Sequence, residues 1–331
     1  MRPMSRTEPI DRGLAWLAIA TAVVTFLMIV IGAITRTSNS GMGCGTYWPL
    51  CNGQVVPEFA STQVAIEYGH RLFALLVAIF VGLVAIQAWR KHRTDPRIRT
   101  LAVAGVVLYF LQAGLGAITV ALSNQWVSVL LHLINSMLLL ACYLVLAVAI
   151  LNPTPEMSRD GGTAPAAVPV IELVLATALA FLVAIIGAAV AGNGAAKACV
   201  GWPLCRGEIW PASQGPYQML NMLHRLAAGG LGILLLLLVI QVWASHDSVP
   251  ANLRRALYVP SVLYLVQAAL GAFIVLINTP EALFVIRSLH VAVAAATWSA
   301  MVVASILGWL QQQTVSMKVE EGLAPSMTTS N

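Results

Sequence analysis

Four histidines of this chain are candidates for chemistry, because each stands within an apolar run long enough to cross a membrane. They form two pairs, His70 with His132 and His224 with His290. The second pair follows the first by 154 residues (70 to 224) and 158 residues (132 to 290). An ionisable ring is costly in hydrocarbon unless it binds something. Two histidines on neighbouring helices are suited to be the axial ligands of a haem iron.

Other interpretations of the histidines are weaker. A lone histidine is as often a hydrogen-bonded polar residue between helices as it is a ligand. Four histidines in register at one depth disfavour that interpretation. Zinc and copper need more protein ligands than two histidines supply. The sequence therefore predicts one bis-histidine haem site in each half. His92 and His246 fall in predicted loops and are interpreted as solvated. Several glycines are predicted to let helices or a flat macrocycle approach closely: Gly32, Gly114, Gly116, Gly187 and Gly271.

Glu67 distinguishes the two halves. It precedes His70 by three residues, which puts both side chains on one helical face. The equivalent position in the second half is Asn221. A glutamate near the start of a helix is also favoured by the helix dipole, and that alternative stays open. If the carboxylate instead lies beside a haem, the unmatched acid predicts that the two sites perform different tasks.

The composition requires a membrane protein. Of the 331 residues, 59% are hydrophobic and 9% are charged, and the mean hydropathy is +0.83. About 20 apolar residues in a helix cross a hydrocarbon core of about 30 Å. Continuous runs of this length exclude a barrel and predict an all-α integral membrane fold. Eight such runs are present, at roughly 14–35, 66–89, 100–122, 127–151, 168–191, 218–243, 255–277 and 282–309.

The chain repeats itself beyond the histidines. Trp48-Pro49-Leu50-Cys51 recurs as Trp202-Pro203-Leu204-Cys205, and Gln112-Ala113-Gly114-Leu115-Gly116-Ala117 recurs as Gln267-Ala268-Ala269-Leu270-Gly271-Ala272. An even number of spans in each unit makes the repeat parallel. The sequence thus predicts two four-helix bundles, residues 1–151 and 168–313. A flexible linker over 152–167 joins them, and a disordered tail over 314–331 follows.

The placement of charge predicts the orientation. Basic residues cluster at 90–99, at Arg159, at Arg254 and Arg255, and before the first span. Loops with the basic excess face the cytoplasm, so both termini are predicted to be cytoplasmic and the four histidines to lie toward the outer leaflet. The short N-terminal segment has no signal-peptide cleavage site, which favours a multi-pass protein of a bacterial plasma membrane. The net charge of +5 gives no indication of nucleic-acid binding.

Cysteines and arginines accompany the histidines. Cys44 with Cys51 and Cys199 with Cys205 lie in predicted outer loops, where an oxidising exterior favours disulfides. A structural staple is the favoured interpretation of Cys199–Cys205, whereas for Cys44–Cys51 a staple and a redox-active pair are equally open. Cys142, in mid-helix, is interpreted as packing. Arginines near the histidine level could contact haem propionates or lipid headgroups: Arg36, Arg71, Arg225 and Arg287.

These motifs together resemble the haem A synthase family. The matching features are Glu67-x-x-His70-Arg71 and His132, then His224-Arg225 and His290, with Gly32 to Arg36 and the two Trp-Pro-Leu-Cys loops. The resemblance extends from the first predicted span to the eighth. The cysteine pairs in both outer loops are similar to those of bacterial members.

The resemblance implies an oxidoreductase that oxidises a ring methyl of haem O to a formyl through a hydroxymethyl, giving haem A for the assembly of cytochrome oxidases. It implies that His70 and His132 hold the substrate haem O and that Glu67 acts at the methyl. A resident haem b would be bound by His224 and His290. The implied partners are haem O synthase (a farnesyltransferase), an electron donor and membrane lipid, and a homo-oligomer is compatible with this function.

Two other functions stay open on the residues alone. A di-haem electron-transfer protein would carry two unmodified haems and give Glu67 no special role. A non-enzymatic haem transporter or chaperone would use both sites as temporary stations for a haem in transit.

Overall fold

The computed structural model describes residues 10–152, 169–245 and 249–323, with side chains up to Gln313. Over these residues eight helices are each long and apolar enough to span a membrane, which confirms the predicted all-α fold. Two short 3₁₀ turns, Ala195–Lys197 and Ala212–Gln214, lie between the fifth and sixth helices. The eight helices are α1 (Arg12–Thr37), α2 (Thr62–Lys91), α3 (Pro96–Ala121), α4 (Trp126–Leu151), α5 (Val170–Gly192), α6 (Pro216–Ala244), α7 (Ala251–Leu276) and α8 (Pro280–Leu323).

Some predicted features fall outside the described residues. They are the linker beyond Asn152, which includes Arg159, then His246, and residues 324–331 of the tail. The backbone of α8 continues to Leu323, past residue 314, where the sequence predicts that the tail begins.

Each half is a closed ring of four helices. In the first half α1 packs on α2, α2 on α3, α3 on α4, and α4 back on α1, and α5 to α8 repeat this order. The two rings meet through α4 and α8, with α1 against α8 on one side and α4 against α5 on the other. The contacts between the rings are symmetric, because replacing α1 with α5 and α4 with α8 gives the same set of contacts. A parallel repeat requires this symmetry.

The core of the molecule lies along α4 and α8. In the most apolar 18-residue stretch of each helix, 61% of α4 and 44% of α8 is buried, compared with 6% of α7. Tyr143, Leu146 and Met301 are completely covered there. The peripheral helices turn apolar side chains outward, where lipid replaces protein as the apolar neighbour. Each histidine pair therefore joins one peripheral helix to one central helix.

Asp11 ties the beginning of α1 to the end of α2. Its Oδ1 accepts a hydrogen bond from the Leu14 N–H at 3.0 Å and caps α1. Its Oδ2 lies 3.2 Å from His92 Nε2 and 3.6 Å from Lys91 Nζ. The His92 side chain is only 13% exposed, so the prediction that His92 is solvated is wrong. It packs against the cap of a helix that is distant in the sequence.

Asp11 is expected to stabilise the fold in a pH-dependent way. Burial raises the pKa of Asp11, but the Leu14 N–H, His92 and Lys91 outweigh burial and leave this pKa below its ordinary value of 3.8. The resulting stability is complete above the ordinary value and is lost as the pH falls through the lower folded value. Asp11→Ala should cost about 1 kcal/mol at neutral pH because it removes the cap.

Thermal unfolding in detergent at decreasing pH measures this contribution. Asp11→Asn retains a capping side chain and serves as the control that removes only the charge. Its smaller stability deficit at neutral pH should vanish as the pH falls through the folded pKa. A deficit that persists in acid would contradict the role assigned to the charge.

Candidate functional site

The histidines of each half lie on helices at opposite corners of the four-helix ring. His70 is on α2 and His132 on α4. These helices both pack on α1 and α3 but, within the described part of the chain, not on each other. His224 on α6 and His290 on α8 repeat the arrangement. A cofactor held in the core of a bundle by side chains from facing helices fits such a diagonal gap.

Each histidine ring packs against a glycine of the preceding helix. A β-carbon added to Gly187 would lie 2.8 Å from Cε1 of His224. At the other three pairs the corresponding distance to the ring is 3.2–3.4 Å: Gly32 with His70, Gly116 with His132, and Gly271 with His290. These glycines leave the space that the rings occupy. Gly114 instead faces open space, so the predicted close approach of a helix at this glycine is wrong, while the approach of a macrocycle stays a prediction.

All four rings line one cavity of about 1420 Å³. A single small-molecule site usually measures about 300–1,000 Å³, so this cavity has room for more than one such ligand. Glu67 and Asn221 also line the cavity, as do the arginines singled out in the sequence: Arg36, Arg71, Arg225 and Arg287. The structure therefore brings the residues of both predicted sites into one continuous space.

The donor set fits a haem better than a bare metal ion. Among the described residues no group of three His, Cys, Asp or Glu side chains comes together to hold a metal. Two histidines suffice where a macrocycle supplies the remaining bonds to iron. The Nδ1 atoms of His224 and His290 are buried and have no hydrogen-bond partner in the described part of the chain. These rings therefore retain capacity for a ligand and for a supporting hydrogen bond.

Glu67 is a buried acid at the first histidine pair, with 4% of its surface exposed. Its Oε1 accepts a hydrogen bond from Arg71 Nη2 at 2.6 Å, and its Oε2 accepts one from the Cys44 N–H at 2.8 Å. Glu67 lies beyond the first turn of α2, which begins at Thr62. The helix dipole therefore does not account for it. The carboxylate borders the same cavity as His70, where it can exchange a proton with a bound ligand.

At the equivalent position of the second half, Asn221 donates hydrogen bonds where Glu67 accepts them. Its Nδ2 donates to the carbonyls of Ala195 at 2.7 Å and Ala196 at 3.1 Å. Its Oδ1 is buried and has no partner among the described residues. The loop before α2 thus donates to a carboxylate, whereas the loop before α6 accepts from an amide. The two histidine pairs differ in neighbouring charge and in the direction of the neighbouring hydrogen bonds.

Arg71 and Arg225 hold the loops that precede their helices. Arg71 Nη1 donates to the carbonyls of Leu50 at 2.5 Å and Tyr47 at 2.6 Å. Arg225 Nη1 donates to the carbonyl of Gly201 at 2.8 Å and to two further loop carbonyls. Charged donors satisfy several loop carbonyls at once and draw each loop onto its histidine helix. Contact of these two arginines with a propionate or a headgroup stays a prediction.

Both predicted disulfides are present. Cys44–Cys51 closes the α1–α2 loop, and Cys199–Cys205 closes the α5–α6 loop. Each loop contains a cis Trp-Pro bond and an isolated β-bridge at its second cysteine. The repeat therefore extends to the conformation of the loops. The Cys44 N–H binds Glu67, so the first disulfide loop is attached directly to the candidate acid. Redox cycling of Cys44–Cys51 stays a prediction.

Arg36 and Arg287 lie where the two halves meet. Thr37 Oγ1 and Ser288 Oγ are 2.8 Å apart and join α1 to α8, and the arginine before each of them lines the cavity. Neither arginine forms an ion pair with any described residue. The positive charge is confined to this side of the interface, because the equivalent positions between α4 and α5 are apolar: Val129 and Ala191.

Gln112 contacts His132, a predicted haem ligand, and this contact was not predicted from the sequence. Gln112 Nε2 lies 3.2 Å from Nδ1 and 3.1 Å from Nε2 of His132. Gln112 precedes Gly116 by one helical turn, on the face that the ring approaches. The signal for this contact is the repeated Gln-Ala-x-Leu-Gly-Ala motif, which carries both the glutamine and the glycine.

The chain is similar to known proteins over most of its length. Residues 15–302 match the model of the COX15-CtaA family, described as cytochrome oxidase assembly protein. The chain is 31% identical over 279 residues to the heme A synthase of Geobacillus kaustophilus, covering 80% of this chain and 83% of the relative. It is 34% identical over 235 residues to the heme A synthase of Shouchella clausii, covering 69% and 76%. A third relative, the heme A synthase of Alkalihalophilus pseudofirmus, is 31% identical over 228 residues, covering 68% and 74%. With eight membrane-length helices and four histidines around one cavity, the chain belongs to the COX15-CtaA family of cytochrome oxidase assembly proteins.

Proposed function

We propose that this chain is a haem A synthase, an oxidoreductase that converts a ring methyl of haem O to a formyl through a hydroxymethyl. The observation that carries the proposal is Glu67, the single buried carboxylate among the described residues, beside one of two repeated histidine pairs in a shared cavity. The relatives named heme A synthase support the same activity. A duplicated fold with one altered site suits a protein that holds a substrate in one half and a cofactor in the other.

We assign the first histidine pair to the substrate. His70 and His132 would bind the iron of haem O, and Glu67 would act at the methyl group. Alanine, glycine, valine and leucine supply about half of the residues that line the cavity, and polar or charged side chains make up much of the rest. Such a lining suits an apolar macrocycle with a farnesyl tail, while the polar groups orient it.

We assign the second pair to a resident haem b, whose iron His224 and His290 would hold. Bound haem b would supply one-electron transfer within the same cavity. Arg36 and Arg287 line the cavity beside the contact of α1 with α8, without ion-pair partners among the described residues. Arginine forms strong, charge-assisted hydrogen bonds with carboxylates, so these two side chains are our candidates for binding haem propionates.

Glu67 supplies the chemistry that the second site lacks. Forming the hydroxymethyl replaces a methyl C–H bond with a C–O bond, and a carboxylate can accept the proton released or stabilise positive charge as it develops. Arg71 and the Cys44 N–H hold both carboxylate oxygens, so the group is oriented before charge develops. The amide of Asn221 is not a proton acceptor of this kind, and equivalent chemistry is not expected in the second half.

We further propose that the protein lies in the bacterial plasma membrane with both termini in the cytoplasm and the haem sites toward the outer leaflet. The basic loops support this orientation. The disulfides support it as well, because both close loops that follow odd-numbered helices and both require an oxidising compartment. Haem O synthase would deliver the substrate, and a separate electron donor would supply electrons. A homo-oligomer stays a prediction.

Mass analysis of the bound haems tests the activity. The full chain is produced in one strain that contains haem O synthase and in a matched strain that lacks it, and the haems are extracted from the purified protein. We expect hydroxymethyl and formyl haem in the first preparation only, and haem b in both. A di-haem electron carrier would contain only unmodified haems, and a transporter would return haem O unchanged. If no oxidised haem ever appears, the proposed activity is wrong.

A further inference from the structure

Asn135 holds the amide of Gln112 in one orientation. It lies one turn after His132 on α4 and is buried. Its Nδ2 donates to the main-chain carbonyl of Leu108 at 2.9 Å and to Gln112 Oε1 at 2.7 Å. A main-chain carbonyl only accepts hydrogen bonds, so the contact with Leu108 identifies Nδ2 as the atom that faces α3. Gln112 therefore uses its oxygen for Asn135 and presents its NH₂ group to His132.

The second half has the glutamine but not the asparagine. Gln267 is the equivalent glutamine on α7, but the residue one turn after His290 is Val293. Gln267 Oε1 and His290 Nδ1 are both buried, and neither has a partner within the described residues. Gln267 Oε1 is an unengaged acceptor and His290 Nδ1 is a nitrogen that can carry a proton, so Gln267 has a free oxygen to offer where Gln112 does not.

The direction of these hydrogen bonds affects the strength of an axial ligand. A histidine binds iron more strongly when its other ring N–H donates to an acceptor, because that hydrogen bond makes the imidazole more basic. Gln267 is free to supply such an acceptor to His290. At the first site the acceptor oxygen of Gln112 is engaged, and the NH₂ group turned toward His132 cannot accept a proton. A proton on the free ring nitrogen of His132 thus has no side-chain acceptor at Gln112.

We propose that Asn135 is a positioning residue that makes the first haem site exchangeable. It holds Gln112 in the donor orientation and so weakens His132, whereas Val293 leaves Gln267 free to strengthen His290. The inference rests on the proposed function, in which substrate enters and product leaves the first site while the second keeps its haem b. A single asparagine thus separates the site that releases its haem from the site that retains it.

Exchange of the two residues tests the proposal. Asn135→Val and Val293→Asn are made in the full chain, produced with a source of haem O, purified in detergent and mixed with excess apomyoglobin as the haem acceptor. The mass of each transferred haem identifies its site. We expect Asn135→Val to slow release from the first site by about 10-fold or more, and Val293→Asn to accelerate loss of haem b by a similar factor.

Redox titration provides a readout that a purely structural role would not change. A more basic axial histidine favours ferric iron, so Asn135→Val should lower the reduction potential of the first-site haem. Gln112→Glu is an independent variant if valine at position 135 disturbs folding. One carboxylate oxygen still accepts from Asn135 while the other faces His132 as an acceptor, so release should slow and the potential should fall in the same way.

The outcomes separate this inference from the proposed function. Unchanged release rates and potentials in folded, haem-loaded Asn135→Val and Gln112→Glu would overturn the positioning role. Detection of oxidised haem in those same preparations would still support the proposed enzyme activity. If no oxidised haem forms but the release rates and potentials shift as expected, the positioning role holds and the proposed activity is wrong.

Discussion

Glu67→Gln is expected to abolish haem A formation while both histidine pairs still bind haem. General acid–base groups contribute about 10²–10⁴-fold to reaction rates, and the yield of formyl haem should fall by a factor in that range. An amide cannot accept the proton that the carboxylate can. Its NH₂ group would also face a donor, either Arg71 Nη2 or the Cys44 N–H, because both carboxylate oxygens are engaged. Mass analysis of the extracted haems gives the ratio of formyl haem to haem O.

Glu58→Gln is the matched control for Glu67→Gln. Glu58 carries an exposed carboxylate in the same α1–α2 loop region, outside the cavity lining. Its replacement should leave both the haem content and the haem A yield unchanged. An intact haem A yield in Glu67→Gln would refute the role of Glu67 without refuting the activity. Loss of haem from both sites of Glu67→Gln would show that the acid acts through the loop and not at the methyl.

Gly187→Ala is expected to remove most of the haem held by His224. The added β-carbon would lie 2.8 Å from Cε1 of the ring, which is closer than real β-carbons approach other atoms. Overpacking of this kind costs about 1–3 kcal/mol, which corresponds to a loss of affinity of about 10- to 100-fold. The ratio of haem b to protein measures this loss. Haem A formation should fall with it, because in the proposed function the second site supplies electron transfer for the first.

Gly114→Ala is the control for this substitution. A β-carbon at Gly114 meets nothing within 4 Å, and the equivalent residue of the second half is already an alanine, Ala269. The haem content of this variant should match that of the parent protein. Full retention of haem b by Gly187→Ala would show that close packing of glycine against the histidine ring is not required for binding.

The helices and the histidines could be predicted because each leaves a strong signal in the sequence. Apolar runs of membrane length are visible without any knowledge of their neighbours. The repeat relates His70 to His224 and His132 to His290 by nearly constant displacements. The disulfides were also predictable, since cysteines separated by seven and six residues in one loop can meet without the rest of the fold.

Two predictions were wrong because they concern contacts between distant parts of the chain. His92 is shielded by Asp11, which is 81 residues away in the sequence. Gly114 faces open space, whereas Gly116, two residues later, meets His132. The sequence motif contains both glycines and does not distinguish them. Residues two apart lie on different faces of a helix, and only the face of Gly116 meets α4.

The sequence by itself determined the eight helices, their duplication, the four histidines and the unmatched acid at Glu67, because hydropathy, repeats and residue identity are properties of the chain. Only the tertiary structure decided that both histidine pairs share one cavity and that Gln112 is held by Asn135 while Gln267 is not. A buried amide takes as its partner whichever group packing brings to about 3 Å. Residues from separate helices reach that distance only when the whole bundle is assembled.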